Sequence, residues 1–175
     1  MRSLYATLLG TSFESLSPVL QRIHDDRASK RYVGRCAVER GHSPLARVLA
    51  RIVGLPHSHP DTPVEVTIEC NGTHETWTRR FGGHEMRSVL RVGDRALEER
   101  LGAVTLKFEL VASPEGISWL MQEARFLFLP LPRSWFSPCA ARESIDGERY
   151  CFDVHAEMRG VGLLVRYRGW MMEHE

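Results

Sequence analysis

Three glycine-centred reversals, Asn71-Gly72, Gly82-Gly83 and Asp146-Gly147, constrain this chain more than any other feature. Two-residue hairpin turns place central residues at positive φ, which Gly, Asn and Asp tolerate and most side chains do not. A tight reversal fixes register. Register decides which side chains share a face, because strand side chains alternate with a period of two. From Val64 onward the chain reads as strands at about 63–70, 73–81, 84–91, 103–111, 117–126, 139–145, 148–157 and 163–171, with an earlier one at 31–39. The segment Leu127–Pro132 does not continue a central strand, since neither of its prolines can donate to a ladder.

The start of the chain reads as helical. Leu4, Tyr5, Leu8 and Leu9 recur at helical spacing before Gly10. Ser17-Pro18 supplies an N-cap and a proline at the first helical position, and Asp25-Asp26-Arg27 ends that helix after His24. Ser43-Pro44 opens a helix to about residue 53, with Leu45, Val48, Leu49, Ile52 and Val53 on one face and Arg47 and Arg51 on the other. Such a basic amphipathic helix suits a membrane surface, and more commonly covers a sheet, which is the expectation here. Residues 55–62 read as a proline loop.

Taking each dipeptide as the two-residue turn, Glu65, Thr67 and Glu69 face Thr78, Thr76 and His74 on an outer surface. Inside, Arg79 faces Met86, Trp77 faces Ser88 and Glu75 faces Leu90. The looser Ser113–Gly116 turn sets Val104, Leu106, Phe108 and Leu110 against Arg125, Glu123, Met121 and Trp119. Asp146-Gly147 sets Glu143, Ala141 and Cys139 against Tyr150, Phe152 and Val154, and the last hairpin sets Val154 against Tyr167. One face therefore collects Glu75, Arg79, Glu123, Arg125 and Glu143 among Trp77, Trp119, Tyr150, Phe152 and Tyr167. An isolated charge in a dry core costs several kcal/mol. The charges then pair with one another, or line a cavity inside a curled sheet, or lie outside because a register slips by one residue. The fold class expected is α+β, predominantly antiparallel. It has eight or nine strands in a strongly curved sheet or calycin/helix-grip-like barrel, N-terminal helices, and the amphipathic helix at 44–53. Residues 1–175 form one domain, with a helical part at 1–27 and a β-rich body at 31–171.

A net charge of +1 gives no electrostatic pointer to nucleic acid. Only Lys30 and Lys107 are lysines, which reads as codon bias more than as an anion-binding surface. Cys36, Cys70, Cys139 and Cys151 form no C-x-x-C pair, so free thiols in a reducing cytoplasm are expected. The N-terminal apolar run is too short for a signal peptide, and no transmembrane segment is expected. His57-x-His59 with Asp61 reads as a solvated loop, so no metal is expected. Asp153 and His155 read as outward-facing partners of arginines. Ser88, His84 and Glu75 share a face without a nucleophile elbow. No G-x-G-x-x-G or phosphate-binding loop occurs, and no cofactor is expected.

The residues point first to a non-enzymatic binding module for a small amphipathic or apolar ligand. Trp77, Trp119, Tyr150 and Tyr167 would supply contact area and Arg79 and Arg125 would anchor an anionic or carbonyl group. Glu75, Glu123 and Glu143 would orient those arginines. On this reading Arg79→Ala loses ligand with little loss of fold. Two alternatives stand beside it: an enzyme with Glu75 or Glu143 as general base, and an interaction domain without a pocket. No catalytic residue is assigned.

The stretch Arg40-Gly41-x-Ser43-Pro44-Leu45-Ala46-Arg47 through Gly54-Leu55-Pro56 resembles a bacterial family known only as a domain of unknown function. So do Trp77-x-Arg79-x-Phe81-Gly82, Leu129-Pro130-Leu131-Pro132, Ala141-Arg142-Glu143 and Val165-Arg166-Tyr167-Arg168-Gly169-Trp170. In that family the domain stands alone or follows a saccharopine-dehydrogenase-like NAD-binding module. The resemblance implies an accessory role beside a reductase partner and carries over no catalytic residue.

Overall fold

Hairpins dominate this chain, and they close on themselves. The computed structural model describes residues 2–174, with Cys139 described by its backbone alone. Its helices are α1 (Leu4–Leu9), α2 (Thr11–Glu14), α3 (Pro18–Ile23) and α4 (Pro44–Val53). Its strands are β1 (Ser29–Arg40), β2 (His59–Cys70), β3 (His74–Phe81), β4 (His84–Gly93), β5 (Ala96–Leu101), β6 (Val104–Ser113), β7 (Gly116–Phe126), β8 (Leu129–Leu131), β9 (Cys139–Asp146), β10 (Arg149–Met158) and β11 (Gly162–Glu173). The pairing order β6-β5-β4-β3-β2-β1-β11-β10-β9-β7 is completed by β7 on β6, so ten strands form a closed antiparallel barrel. Among the described residues β8 pairs with β7 alone, a position that tolerates its proline. Closure removes the unpaired edges that an open sheet exposes.

The barrel agrees with the expected arrangement, and its strand count is higher. The missed barrel strand is β5. It is reached through Asp94 and Arg95 at φ 47° and 63°, a positive-φ reversal made without glycine. Arg is a poor signal for that conformation, so the turn is not visible in the sequence. β2 begins at His59, inside the segment expected to be a loop, and pairs there with Val38 past a register shift.

Registers moved in two ways with opposite consequences. In the first hairpin Asn71 N–H donates to His74 at 3.1 Å, and Cys70 pairs with Glu75. In the third, Asp146 pairs with Arg149. Gly72 (φ 86°) and Gly147 (φ 60°) thus take the first central position, where glycine is demanded, rather than the second. Glu65 faces Arg80 instead of Thr78, and Glu143 faces Phe152 instead of Tyr150. A slip by two residues leaves every side chain on its expected face. The pairing expected for Cys139 with Val154 is replaced by Ala141 with Val154, and the Cys139 side chain lies outside the described residues. In the β6–β7 hairpin a bulge after Lys107 has the other effect. Lys107 pairs with Glu123 and Thr105 with Arg125, so Ala124 and Phe126 turn inward. Glu123 and Arg125, expected inside, lie outside. They bond to each other, with Lys107 3.8 Å from Glu123.

The two barrel ends differ. At one end α1 packs on β4, β5 and β6, and α3 packs on β9 and β10, so the N-terminal helices close the floor. Ser3 and Ser17 cap α1 and α3 by accepting from Ala6 N–H (3.1 Å) and Leu20 N–H (3.3 Å). α4 sits at the other end against β11, and it corrects the expectation that its large apolar face covers the sheet. Ala46 and Ala50 are the buried residues, whereas Leu45, Val48 and Ile52 are exposed. Gly41 permits this seating: a Cβ there would lie 1.7 Å from the Leu163 carbonyl oxygen.

Candidate functional site

The polar residues inside the barrel form two clusters. The lower one joins the helical plug to the strands. The α3 register carries Leu20 and Ile23 into the interior, and His24, the residue after the helix, follows them fully buried. His24 Nε2 is 2.6 Å from Glu143 Oε2, and Trp119 Nε1–H donates to Glu143 Oε1 at 2.8 Å. Tyr5 of α1 stacks on the His24 ring with centroids 3.6 Å apart, while Tyr150 meets that ring edge-on at 6.2 Å. Glu75 accepts from Trp77 Nε1–H at 2.8 Å. The fully buried Lys30 ammonium donates to the Ile23 and Asp25 carbonyls at 2.9 and 2.6 Å, tying the end of α3 to β1.

The upper cluster surrounds Arg79. Its Nη1 donates to Ser88 Oγ at 2.7 Å and its Nη2 to Glu99 Oε1 at 3.1 Å. Ser88 in turn donates to the same Glu99 oxygen at 2.6 Å. The guanidinium lies 5.0 Å from the centroid of the Trp77 ring, a cation–π distance. Ser88 is thereby bound to Arg79 and Glu99, and His84 Nε2 faces the Gly54 carbonyl at 2.8 Å, so Ser88, His84 and Glu75 do not assemble as a triad. On the outer wall Asp153 lies across from Arg168, as expected, but its carboxylate forms a two-bond pair at 2.6 and 3.0 Å with the diagonal Arg166, the residue expected to face His155. Asp61 is held by Arg35 through two bonds of 2.6 Å.

Above these clusters is a cavity of about 780 Å³. Leu106, Phe108, Met121 and Ala124 are among its wall residues, with Trp77, Trp119, Tyr150 and Tyr167 lower down. Its polar interior lining includes Arg79, Glu99 and Glu143. Of the nine residues expected to form a binding site, Trp77, Arg79, Trp119, Glu143, Tyr150 and Tyr167 line this cavity. Glu75 is buried but is not among the lining residues, and Glu123 and Arg125 are outside the barrel. The sequence reasoning missed Tyr5, His24 and Glu99. His24 follows Leu20 at helical spacing, a signal that was available. Glu99 had none, because its strand was not recognised.

Burial governs titration in this interior. It pushes Glu75 above the usual carboxylate range, against the opposing Trp77 hydrogen bond and the fields of His24 and Lys30. It also pushes the Tyr167 phenol up to about 12, against the lowering field of Arg79. Tyr5 and Tyr150 rise well above the ordinary phenol range, from burial first and Glu143 second. A folded-state pKa above the unfolded value means the native state binds the Glu75 proton more tightly. Its contribution is therefore most favourable below the ordinary carboxyl pKa of about 4.3 and is lost as pH rises toward neutrality. Glu75→Gln is expected to remove that loss, so urea titrations of the two proteins diverge with increasing pH in favour of the variant. Parallel stability curves would show that Glu75 titrates normally.

A closed antiparallel barrel, plugged at one end and hollow at the other, defines the class of this protein. The family described as "Domain of unknown function (DUF4166)" matches residues 16–171, and the chain belongs to that family. Among solved structures the chain is similar to the one titled "Crystal Structure of Rv2717c from M. tuberculosis". The identity is 15%, the TM-score 0.49, and the likeness covers 91% of this chain and 99% of that one. No curated protein matches.

Proposed function

We propose that the barrel is a binding module for one elongated, mostly apolar molecule ending in an uncharged polar group such as a hydroxyl, carbonyl or amide. The cavity of about 780 Å³ above a floor of paired polar groups carries this reading. That volume falls within the usual 300–1,000 Å³ range of small-molecule sites. The walls favour a hydrocarbon, and the floor selects the head. Arg79 does not offer a free positive charge, because Glu99 already balances it at 3.1 Å. A carboxylate head would bring another negative charge beside Glu99 and Glu143, whereas a neutral group can accept from the guanidinium or donate to Glu99 without upsetting the pair. Both Glu143 oxygens are occupied by His24 and Trp119, which suits a fixed wall better than a mobile general base. An accessory role beside a reductase rests on the family resemblance.

Fluorescence titration with a dansyl-labelled long-chain alcohol and the matching carboxylic acid tests the proposal. Saturable one-to-one binding is expected, with the alcohol at least about tenfold tighter, a difference of ~1.4 kcal/mol. Leu106→Trp, which places an indole in the cavity, is expected to abolish binding while thermal unfolding remains cooperative. Absence of saturable binding, or equal binding by Leu106→Trp, overturns the cavity reading; tighter binding of the acid overturns the neutral-head assignment.

A further inference from the structure

We propose that the open end of the barrel docks on an anionic lipid surface. Nine large apolar side chains are exposed among the described residues, and only Val111 and Met172 lie away from this end. Leu45, Val48 and Ile52 of α4 are 54%, 54% and 58% exposed. Across the mouth, Phe128 reaches 81% in the turn between β7 and β8, flanked by Leu127 and Leu129, and Trp135 follows in a short 3-10 helix. The two segments share one rim, because Leu45 and Ile52 line the same cavity as Leu131 and Trp135. Single exposed apolar residues are ordinary on a soluble protein, but a cluster confined to one end marks a contact surface.

Charge identifies the kind of surface. Segments 40–58, 125–138 and 157–161 at this end contain Arg40, Arg47, Arg51, Arg125, Arg133 and Arg159, with Glu157 as the one acid in them and Arg125 paired with Glu123 just before. The opposite end carries a smaller reverse excess: in its helices and turns Glu14, Asp25, Asp26, Asp94, Glu115, Asp146 and Glu148 outnumber Arg2, Arg22, Arg27 and Arg95. A chain of net charge +1 is therefore polarised along its barrel axis. Arg47 and Arg51 have no ion-pair partner among the described residues, and they extend from α4 beside its exposed apolar face. A short helix seated on two alanines, presenting leucine, valine and isoleucine next to arginine, has the makeup of an interfacial helix. Trp135 supplies an aromatic group of the kind that settles at the headgroup level, and Phe128 an apolar ring for the acyl boundary below it. Arginines attract anionic headgroups at about 1 kcal/mol each, or about fivefold in affinity. No helix among the described residues is long and apolar enough to cross a bilayer. The contact needs no occupied cavity and stands apart from the binding proposal. Were both correct, an apolar cargo would pass between bilayer and cavity without crossing water.

Co-sedimentation of the full chain with vesicles of equal phosphatidylglycerol and phosphatidylcholine, and with phosphatidylcholine alone, tests the surface. Binding to the anionic vesicles is expected, weakened by salt, and reduced about 25-fold by Arg47→Gln with Arg51→Gln. Phe128→Ser with Leu129→Ser is expected to cut it at least about tenfold. Leu106→Trp, with the cavity blocked, should bind vesicles as wild type does. Failure to bind anionic vesicles, or indifference to either double substitution, overturns the proposal. So does loss of binding in Leu106→Trp, which would assign the signal to lipid uptake. A concentration-dependent dimer disrupted by Phe128→Ser would also overturn it, by assigning the rim to a second copy.

Discussion

Glu143→Ala is expected to destabilise the protein by about 3 kcal/mol or more and to loosen the helical plug. Glu143 is almost fully buried and joins three parts of the chain: its own strand β9, Trp119 on β7 and His24 after α3. Truncation leaves an indole N–H and an imidazole nitrogen without an acceptor in a site where each lost partner costs ~1–3 kcal/mol. The damage should be directional, because His24 also carries the Tyr5 ring stacked 3.6 Å away. Hydrogen exchange is expected to accelerate first in α1 and α3, while strands β1 and β11 keep their protection. Glu143→Gln preserves an acceptor for Trp119 and should lose less than half as much stability. Urea unfolding of the three proteins measures the first effect and amide exchange the second. A loss below about 1 kcal/mol in the alanine variant would mean that the plug is held by apolar packing alone.

Arg79→Ala is expected to cost about 3–5 kcal/mol, since it strands Glu99 and Ser88 inside the barrel. The buried pair argues against the expectation that Arg79 can be removed with little loss of fold. Glu99 is only 12% exposed and has no other cation within salt-bridge distance among the described residues. Replacing both partners by apolar residues of similar volume, as in Arg79→Met with Glu99→Met, should recover most of the loss and can exceed wild-type stability. The double variant is thus folded but lacks a polar floor. It should bind the dansyl-labelled alcohol no better than an unsubstituted hydrocarbon probe of the same length. If the double variant is as unstable as Arg79→Ala, the two residues do not act as a pair. If it keeps its preference for the alcohol, the head group is read elsewhere.

Legibility followed the range of the interactions. Gly82-Gly83 and the last hairpin were read to the residue: Arg79 faces Met86 and Val154 faces Tyr167 as expected. Asn71-Gly72 and Asp146-Gly147 gave the correct faces from a turn that begins one residue later. The β6–β7 hairpin failed because a bulge adds a residue to one strand, and nothing local announces it. That one residue moved Glu123 and Arg125 from the inner wall to the surface. β5 failed because Asp94-Arg95 turns at positive φ without glycine. Its omission concealed Glu99, the partner that makes a buried Arg79 tolerable.

Turn chemistry and two-residue alternation, both local, were enough to establish an antiparallel, curved protein with aromatic side chains and charges sharing its interior. Which charges meet was decided by strand order and helix docking. Arg79 and Glu99 are brought together across β4, and His24 reaches Glu143 from 119 residues away in the chain. Docking also left α4 seated on alanines with its large apolar side chains free at the mouth. Such pairings follow from strand order and helix docking, where each contact depends on all the others being in place, and no short stretch of chain records them.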